Sequence, residues 1–379
     1  MDDPPQVAAA VHATPTFDVR ILSEAEVASA SIDAFPRSDA SCFFDAHALR
    51  AWMRAFLPGN GWGPPMTVLG VRAKNESPGG FVAFATQAFA GLRVASLAGY
   101  YWPFRTLALD PDGSSSVAAT ASVAQFLSRR PPSAVLRLGP VSSKDRSVAG
   151  LVSALLAQGW TAFRRDSGAV FELDLPPRAE QLEAIISPSL FKNIAYLRRR
   201  LGKQHGEVRA ERHLLCASSA ATLATLQRIE SASWVAAGNG DPKFIGDANM
   251  RYWMALGETA ARPSVVALWT LYCGEKAIAF SANIETPQVV YILANSFDEG
   301  WKAHSPGSIL TLEVMRDAVV RGRKQIDWGQ GDSGYKTRWG AKPGATLSDV
   351  LLFTPGLLGK ALHLAARYGL RDWRAIERG

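Results

Sequence analysis

His304-Ser305-Pro306-Gly307-Ser308-Ile309-Leu310 opens a stretch that runs on as a helical pattern to Arg321-Gly322. It continues as Gln325-Ile326-Asp327-Trp328-Gly329-Gln330-Gly331 and closes on Tyr335-Lys336-Thr337-Arg338-Trp339. Ser305 before Pro306 is a strong helix start, with serine as N-cap and proline in the first turn. The free N–H groups of such a turn lie at the positive end of the helix dipole and form an anion site, where Gly307 permits close backbone approach. The same residues serve equally well to start an ordinary helix.

The strand that follows carries one acid, Asp327, between Ile326 and Trp328. A buried carboxylate must be hydrogen-bonded or face a cleft. Asp327 therefore either holds nearby loop N–H groups, pairs with Lys336 or Arg338, or orients and deprotonates an incoming amine. Gly329, Gly331 and Gly334 keep the next loop open to unusual backbone angles or a close ligand. Tyr335 offers a proton donor and Lys336 a cation for phosphate or carboxylate, although Tyr335 and Trp339 packed on the helix would read the same way.

Outward from this stretch the order of elements reads as one α/β unit used twice, or as two unrelated α+β domains or one large one. Strands are expected at Met66 to Val71, Phe81 to Ala88 and Leu92 to Leu97, then a helix from a Gly/Ser signal at Asp112-Gly113-Ser114-Ser115 to about Arg129, then the strand Ala134 to Gly139. The second half has strands at Val265 to Tyr272, Ala277 to Asn283 and Val289 to Ala294, a helix from Pro306 to about Arg321, and the strand Gln325 to Trp328. Leu136-Arg137-Leu138-Gly139 and Ile326-Asp327-Trp328-Gly329 thus end matching helix-then-strand units. Between the halves, Ser189 is placed to cap a helix with Phe191, Ile194, Leu197 and Leu201 on one face and Lys192, Arg198, Arg199 and Lys203 on others.

The 379 residues, 47% hydrophobic, suffice for two cores. A net charge of +7, from 41 basic and 34 acidic residues, favours an anionic ligand or surface without requiring nucleic acid. Cys42, Cys216 and Cys273 form no close pair, so neither zinc nor a redox dithiol is expected. The start of the chain lacks a signal-peptide pattern and no apolar run is long enough for a bilayer, which points to the cytoplasm, with attachment to the inner membrane face left open. No GxSxG, Walker A, HExxH or paired CxxC occurs. The aromatic run Tyr100-Tyr101-Trp102 with Phe104 is either buried core or a sugar-binding loop.

The helix Phe191 to Leu201, the stretch Trp234 to Gly238, Ser305-Pro306-Gly307, Asp327 with Gly331, and Tyr335-Lys336 with Trp339 together resemble the acetyltransferases of the CelD/BcsL cellulose-biosynthesis type, GNAT-superfamily proteins related to the FemAB-like aminoacyltransferases. The resemblance spans about residues 20 to 355. It implies an α/β (α+β) fold of tandem GNAT-like domains, each a mixed, mainly antiparallel sheet flanked by helices. The expected divisions are a disordered start at 1–16, a degenerate first domain at 17–175, a linker helix at 176–205, a second domain at 206–355 with the donor site, and a basic amphipathic tail at 356–379.

The resemblance further implies acyl transfer from acetyl-CoA or another acyl-CoA to an amine of a sugar, polysaccharide or cell-envelope precursor, without a metal. Ser305, Pro306, Gly307 and Ser308, with Gly329 and Gly331, would bind the donor. Asp327, Tyr335 and Lys336 would line the reaction centre. Two rivals remain: an aminoacyl-tRNA-dependent transferase on peptidoglycan precursors, and a non-catalytic component of an exopolysaccharide system. For the latter the tail matters, because Leu358, Leu362, Ala365 and Ala366 alternate there with Lys360, Arg367, Arg371 and Arg374, a pattern that suits a terminal helix packed on the domain and equally a membrane face, a partner or a cyclic dinucleotide.

Overall fold

The computed structural model describes residues 17–28, 46–57, 66–73, 78–89, 92–99, 105–109, 114–258 and 265–376. The Ala/Pro-rich start, Cys42, residues 100–104 and the Asp112-Gly113 signal lie outside them. The first half comprises β1 (Phe17–Ile21), α1 (Glu24–Ala28), α2 (Ala46–Phe56), β2 (Met66–Ala73), β3 (Pro78–Phe89), β4 (Leu92–Leu97), β5 (Ala108–Leu109), α3 (Ser114–Arg129), β6 (Val135–Ser142), α4 (Arg146–Ala157) and β7 (Thr161–Asp174). Then come α5 (Leu182–Ile185), α6 (Pro188–His205), β8 (Val208–Leu214), α7 (Ala220–Ser231), α8 (Asp247–Gly257), β9 (Val265–Cys273), β10 (Lys276–Glu285) and β11 (Val289–Phe297). The chain closes with α9 (Pro306–Val320), β12 (Gln325–Gln330), α10 (Tyr335–Arg338), β13 (Lys342–Phe353), α11 (Leu357–Gly369) and β14 (Arg374–Ile376).

The strands form one sheet in the order β1-β2-β3-β4-β6-β13-β7-β12-β11-β10-β9-β8, with β5 on β3 and β14 on β7. Most pairings are antiparallel. The two parallel ones, β4 with β6 and β11 with β12, each follow a crossover helix, α3 or α9. Strand pairing crosses between the halves: β13 lies between β6 and β7, and β7 in turn pairs with β12. Each half thus completes the sheet of the other.

Three large apolar clusters cover the sheet. α3 and α4 pack through Val123, Leu127, Leu151 and Leu155 on Phe84, Leu136 and Leu138. α6 and α9 pack through Ile194, Leu201, Leu310 and Met315 on Trp269, Ile326 and Trp328. The third cluster joins the halves, because α2 and α8 meet over Val68, Phe81, Leu268 and Phe280, with the Phe56 and Tyr252 rings 6.0 Å apart. In α6 the buried stripe is Leu190, Ile194, Leu197 and Leu201. Phe191 turns aside to lie beneath the Arg316 guanidinium at 5.7 Å. The helix starts at Pro188 after Ser187, whose side chain makes no capping bond, instead of at Ser189.

α11 continues directly from β13 and packs back on β7 and β13. The turn between them needs Gly359: a Cβ there would sit 2.2 Å from the backbone oxygen of Thr354. Gly359→Ala is therefore expected to destabilise the protein by about 1–3 kcal/mol through overpacking. Denaturant unfolding checks this, and an unchanged midpoint refutes it.

Candidate functional site

The parallel pairing of β11 and β12 lasts only from Val289↔Gln325 to Tyr291↔Asp327. Beyond that register the strands part. β12 stays paired with β7 along its other side, from Gln325↔Asp174 to Gln330↔Val170, through a bulge between Asp327 and Gln330 with Gly329 at φ 72°. Among the described residues no strand pairs with this side of β11 from Ile292 onward, so its backbone groups face an open wedge.

A cavity of about 450 Å3 occupies this wedge, lined by residues from two layers of the fold. On one side are Leu310 and Thr311 of α9 and Tyr335 of α10; on the other are Phe280 and Trp234, the latter following α7 and 44% exposed. Between them lie Ser281, Asn295, Ser296 and Phe297 on the sheet, and at one end Lys302, Ser305, Gly307 and Ser308 at the start of α9. The volume is within the usual range of small-molecule sites.

Ser305 is placed differently from the expected cap. Its backbone is left-handed, at φ 48° and ψ 53°, and its side chain makes no capping bond. Such an angle in a residue with a Cβ costs on the order of 1–3 kcal/mol. Pro306 is buried and has no N–H to offer, while the N–H of Ser308 donates to the Ser305 carbonyl at 3.0 Å. Among the described residues no partner accepts from the Gly307 N–H. The anion site expected of this turn thus narrows to one donor at the positive end of a 15-residue helix. Gly307 also cannot carry a side chain without crowding, since its Cβ would come 3.3 Å from the Phe297 ring.

Tyr335 reaches the cavity from the far end. Its hydroxyl and the Thr311 hydroxyl are 3.1 Å apart, and its ring packs edge-on to Trp328 at 6.0 Å and Trp339 at 6.3 Å. Burial raises its pKa above the ordinary tyrosine value, so it stays a neutral proton donor.

Asp327, Lys336, Gly329 and Gly331 do not line the cavity. Asp327 is buried, 4% exposed, and its Oδ1 accepts from the Gly329 N–H at 2.7 Å. Burial pushes its pKa up to about 7, helped by Glu172 and opposed by the Gly329 hydrogen bond, Lys336 and Lys144. The Lys336 ammonium, read from sequence as a cation for phosphate or carboxylate, instead donates to the Gly329 and Gln330 carbonyls at 2.9 and 2.8 Å. Burial also lowers its pKa. Asp327 and Lys336 therefore grip the glycine loop from its N–H and C=O sides. Asp332 adds a second brace, accepting from the Lys336 and Thr337 N–H groups at 2.8 and 3.1 Å.

Sequence reasoning missed Asn295 and Ser296. Both line the cavity, and the buried Asn295 Oδ1 and Ser296 Oγ have no hydrogen-bond partner. Leaving such groups unpaired is costly unless a ligand or water meets them. The available signal was a polar pair closing the apolar run Val289-Val290-Tyr291-Ile292-Leu293. Among the described residues no group of His, Cys, Asp and Glu is arranged to hold a metal ion.

Residues 188–337 match the family model of the acetyltransferase (GNAT) domain, and they contain both walls of this cavity. The chain carries a GNAT-type acetyltransferase domain. Solved structures share the fold well beyond the matched residues. FemX aligns over 94% of this chain and 100% of its own at 12% identity and a TM-score of 0.55. The C-terminal domain of a candidate lysylphosphatidylglycerol synthetase from Agrobacterium fabrum aligns over 92% and 98% at 15% identity and 0.53. A conserved protein of unknown function from Bacteroides thetaiotaomicron aligns over 89% and 100% at 11% identity and 0.51. At these identities the likeness is one of fold. No curated protein sequence matches the chain. The GNAT domain supports a transferase that binds an acyl donor and an acceptor.

Proposed function

We propose that the protein is an acyl-CoA-dependent N-acyltransferase, with acetyl-CoA as the first donor to test. Its acceptor would be an amine of a sugar, polysaccharide or cell-envelope precursor, as the resemblance to the CelD/BcsL type implies. The observation that carries this reading is the cavity joining the free Gly307 N–H at one end to the Tyr335 hydroxyl at the other, lined by the part of β11 that lies past the end of its pairing with β12. An acyl-CoA has matching parts in the same order: a pyrophosphate, an extended arm with two amides, and a thioester. The helix start receives the negative charge, the open edge of β11 pairs with the amides as an added strand would, and Tyr335 meets the sulfur.

In the transfer, a neutral amine nitrogen bonds to the thioester carbonyl carbon and the C–S bond breaks. The Tyr335 phenol gives its proton to the departing sulfur and is recharged by the proton that the amine sheds. Asp327 and Lys336 act as positioning residues, fixing the loop that carries Tyr335. Trp234 and the second wall face the acceptor. The other reading, transfer of an aminoacyl group from tRNA, shares this fold with FemX and would use the same Tyr335.

Calorimetric titration with acetyl-CoA, free CoA and longer acyl-CoAs tests the proposal. Acetyl-CoA and CoA should both bind, and Gly307→Val should weaken both by about tenfold or more, the loss expected when a hydrogen bond to a charged group is blocked. Circular dichroism checks that the helix is retained. Binding of an aminoacyl-tRNA without affinity for any CoA would overturn the proposal in favour of the tRNA reading.

A further inference from the structure

The face of α11 turned away from the sheet is apolar, exposed and bordered by positive charge. The helix does not trail from the fold. Its inner side, Gly359, Leu362, His363 and Ala366, lies on the sheet, with the His363 ring stacked on Phe163 at 4.7 Å and meeting Phe353 at 5.5 Å. Beyond its C-terminus Trp373 lies under Arg165 at 5.0 Å, and β14 pairs with β7. α11 is thereby presented as a fixed ridge between two strands of the sheet.

At about 100° per residue, Leu364, Leu357, Tyr368, Ala361, Ala365 and Leu358 fall in one continuous outer stripe. Leu357 is 89% exposed, Tyr368 80%, Leu358 62% and Leu364 55%, so the large apolar groups of this stripe are left uncovered among the described residues. Lys360 and Arg367 border the stripe on one side, and Arg371 follows a turn later; all three are exposed. No Asp or Glu occurs from Val350 to Arg371, and no Ser, Thr, Asn or Gln from Leu357 to Arg371. The stripe offers a partner apolar contact and cations, with the Tyr368 hydroxyl as its sole uncharged polar side chain. A protein surface rich in hydrogen-bonding groups is poorly matched to it; a lipid surface with apolar interior and anionic headgroups is well matched.

We propose that α11 docks the protein on an anionic lipid surface. Leu357, Leu358, Leu364 and Tyr368 enter the boundary between headgroups and acyl chains, while Lys360, Arg367 and Arg371 meet headgroup phosphates. This docking stands apart from the transferase reading, since no α11 residue lines the cavity at the start of α9.

Co-sedimentation of the full chain with vesicles tests it, comparing phosphatidylglycerol mixed with phosphatidylcholine against phosphatidylcholine alone. Binding should require phosphatidylglycerol and weaken with salt. Lys360→Gln with Arg367→Gln should bind about 25-fold more weakly, taking about fivefold for each charge near the surface. Leu357→Ser with Leu364→Ser should also lose binding while retaining the wild-type melting temperature, because both side chains are more than half exposed. Equal binding to neutral vesicles, no binding to either, or full binding by both double variants would overturn the proposal. So would a wild-type dimer in sedimentation that the leucine variant abolishes, which would assign the stripe to a second copy of the chain.

Discussion

Tyr335→Phe is expected to lower kcat by about two to four orders of magnitude, the range associated with removing a general acid, while leaving donor affinity within about twofold. The argument rests on what the substitution keeps. The ring packed against Trp328 and Trp339 remains, so α10 and the cavity wall should hold their places. What disappears is the hydroxyl 3.1 Å from Thr311, a loss of about 1 kcal/mol of stability at most for an interaction facing a cavity. Its pKa lies above the ordinary tyrosine value, so the phenol is protonated throughout the neutral range and alkaline loss of activity below pH 9 would have to come from another group. Thiol release with an amine acceptor taken from a substrate screen, together with the same titration used for the wild type, separates chemistry from binding. A variant with wild-type kcat would remove Tyr335 from the reaction.

Local features of the fold were legible where the pattern was local. Leu92 to Leu97 is β4 residue for residue, and the helix starting at Pro306 and the strand starting at Gln325 are where punctuation placed them. β7 escaped notice because Arg164-Arg165-Asp166 interrupts its apolar alternation. In the sheet these charges are paired, Arg164 to Asp166 along the same strand at 2.8 Å and Arg165 across to Asp349 of β13 at 3.1 Å. β13 was hidden by Pro343-Gly344, where a Cβ on Gly344 would come 2.3 Å from the Glu172 carboxyl, which would have to move aside. The exchange of β7 and β13 between halves joins residues some 180 positions apart, as in Leu351↔Phe163, and such pairing leaves no local trace. In the tail, Leu362 and Ala366 of the basic amphipathic helix turn inward because Phe163 and Phe353 offer them a surface.

For the site, residue types were legible but directions were not. Ser305, Gly307, Ser308 and Tyr335 meet at one cavity although they span 31 positions of sequence, and their common place follows from α9 and α10 flanking the same wedge. Asp327 and Lys336 look equally chemical in sequence, yet each is turned to the backbone of the loop between them. Asn295 and Ser296 look structural at the end of an apolar strand, yet they carry unpaired polar atoms at the cavity. Only the splay of β11 from β12 separates these cases.

That placement of Asp327 predicts a stability that falls with rising pH and a variant that escapes the fall. The carboxyl has an ordinary value of 3.8 and is pushed up to about 7 in the folded protein, chiefly by burial. A raised pKa means that the folded state holds the proton more tightly than the unfolded state. The resulting stabilisation is complete below pH 4 and is lost progressively as pH rises through about 7. The shift from 3.8 to about 7 corresponds to roughly 4 kcal/mol across the whole window, at about 1.4 kcal/mol per pH unit. Asp327→Asn keeps an oxygen for the Gly329 N–H and the shape of the side chain, but has no proton to lose. Denaturant unfolding at pH 5 and pH 8 should therefore show the variant gaining on the wild type by about 2–4 kcal/mol between the two. Tyr335 lies eight residues on, beyond the loop that Asp327 secures, so the same variant should retain donor binding and a measurable kcat. If the stability difference is flat with pH, the carboxyl is ionised in the folded protein and must have a counter-charge nearer than Lys336 now stands. If it is flat and kcat collapses as well, Asp327 touches the amine directly and belongs with Tyr335 at the reaction centre.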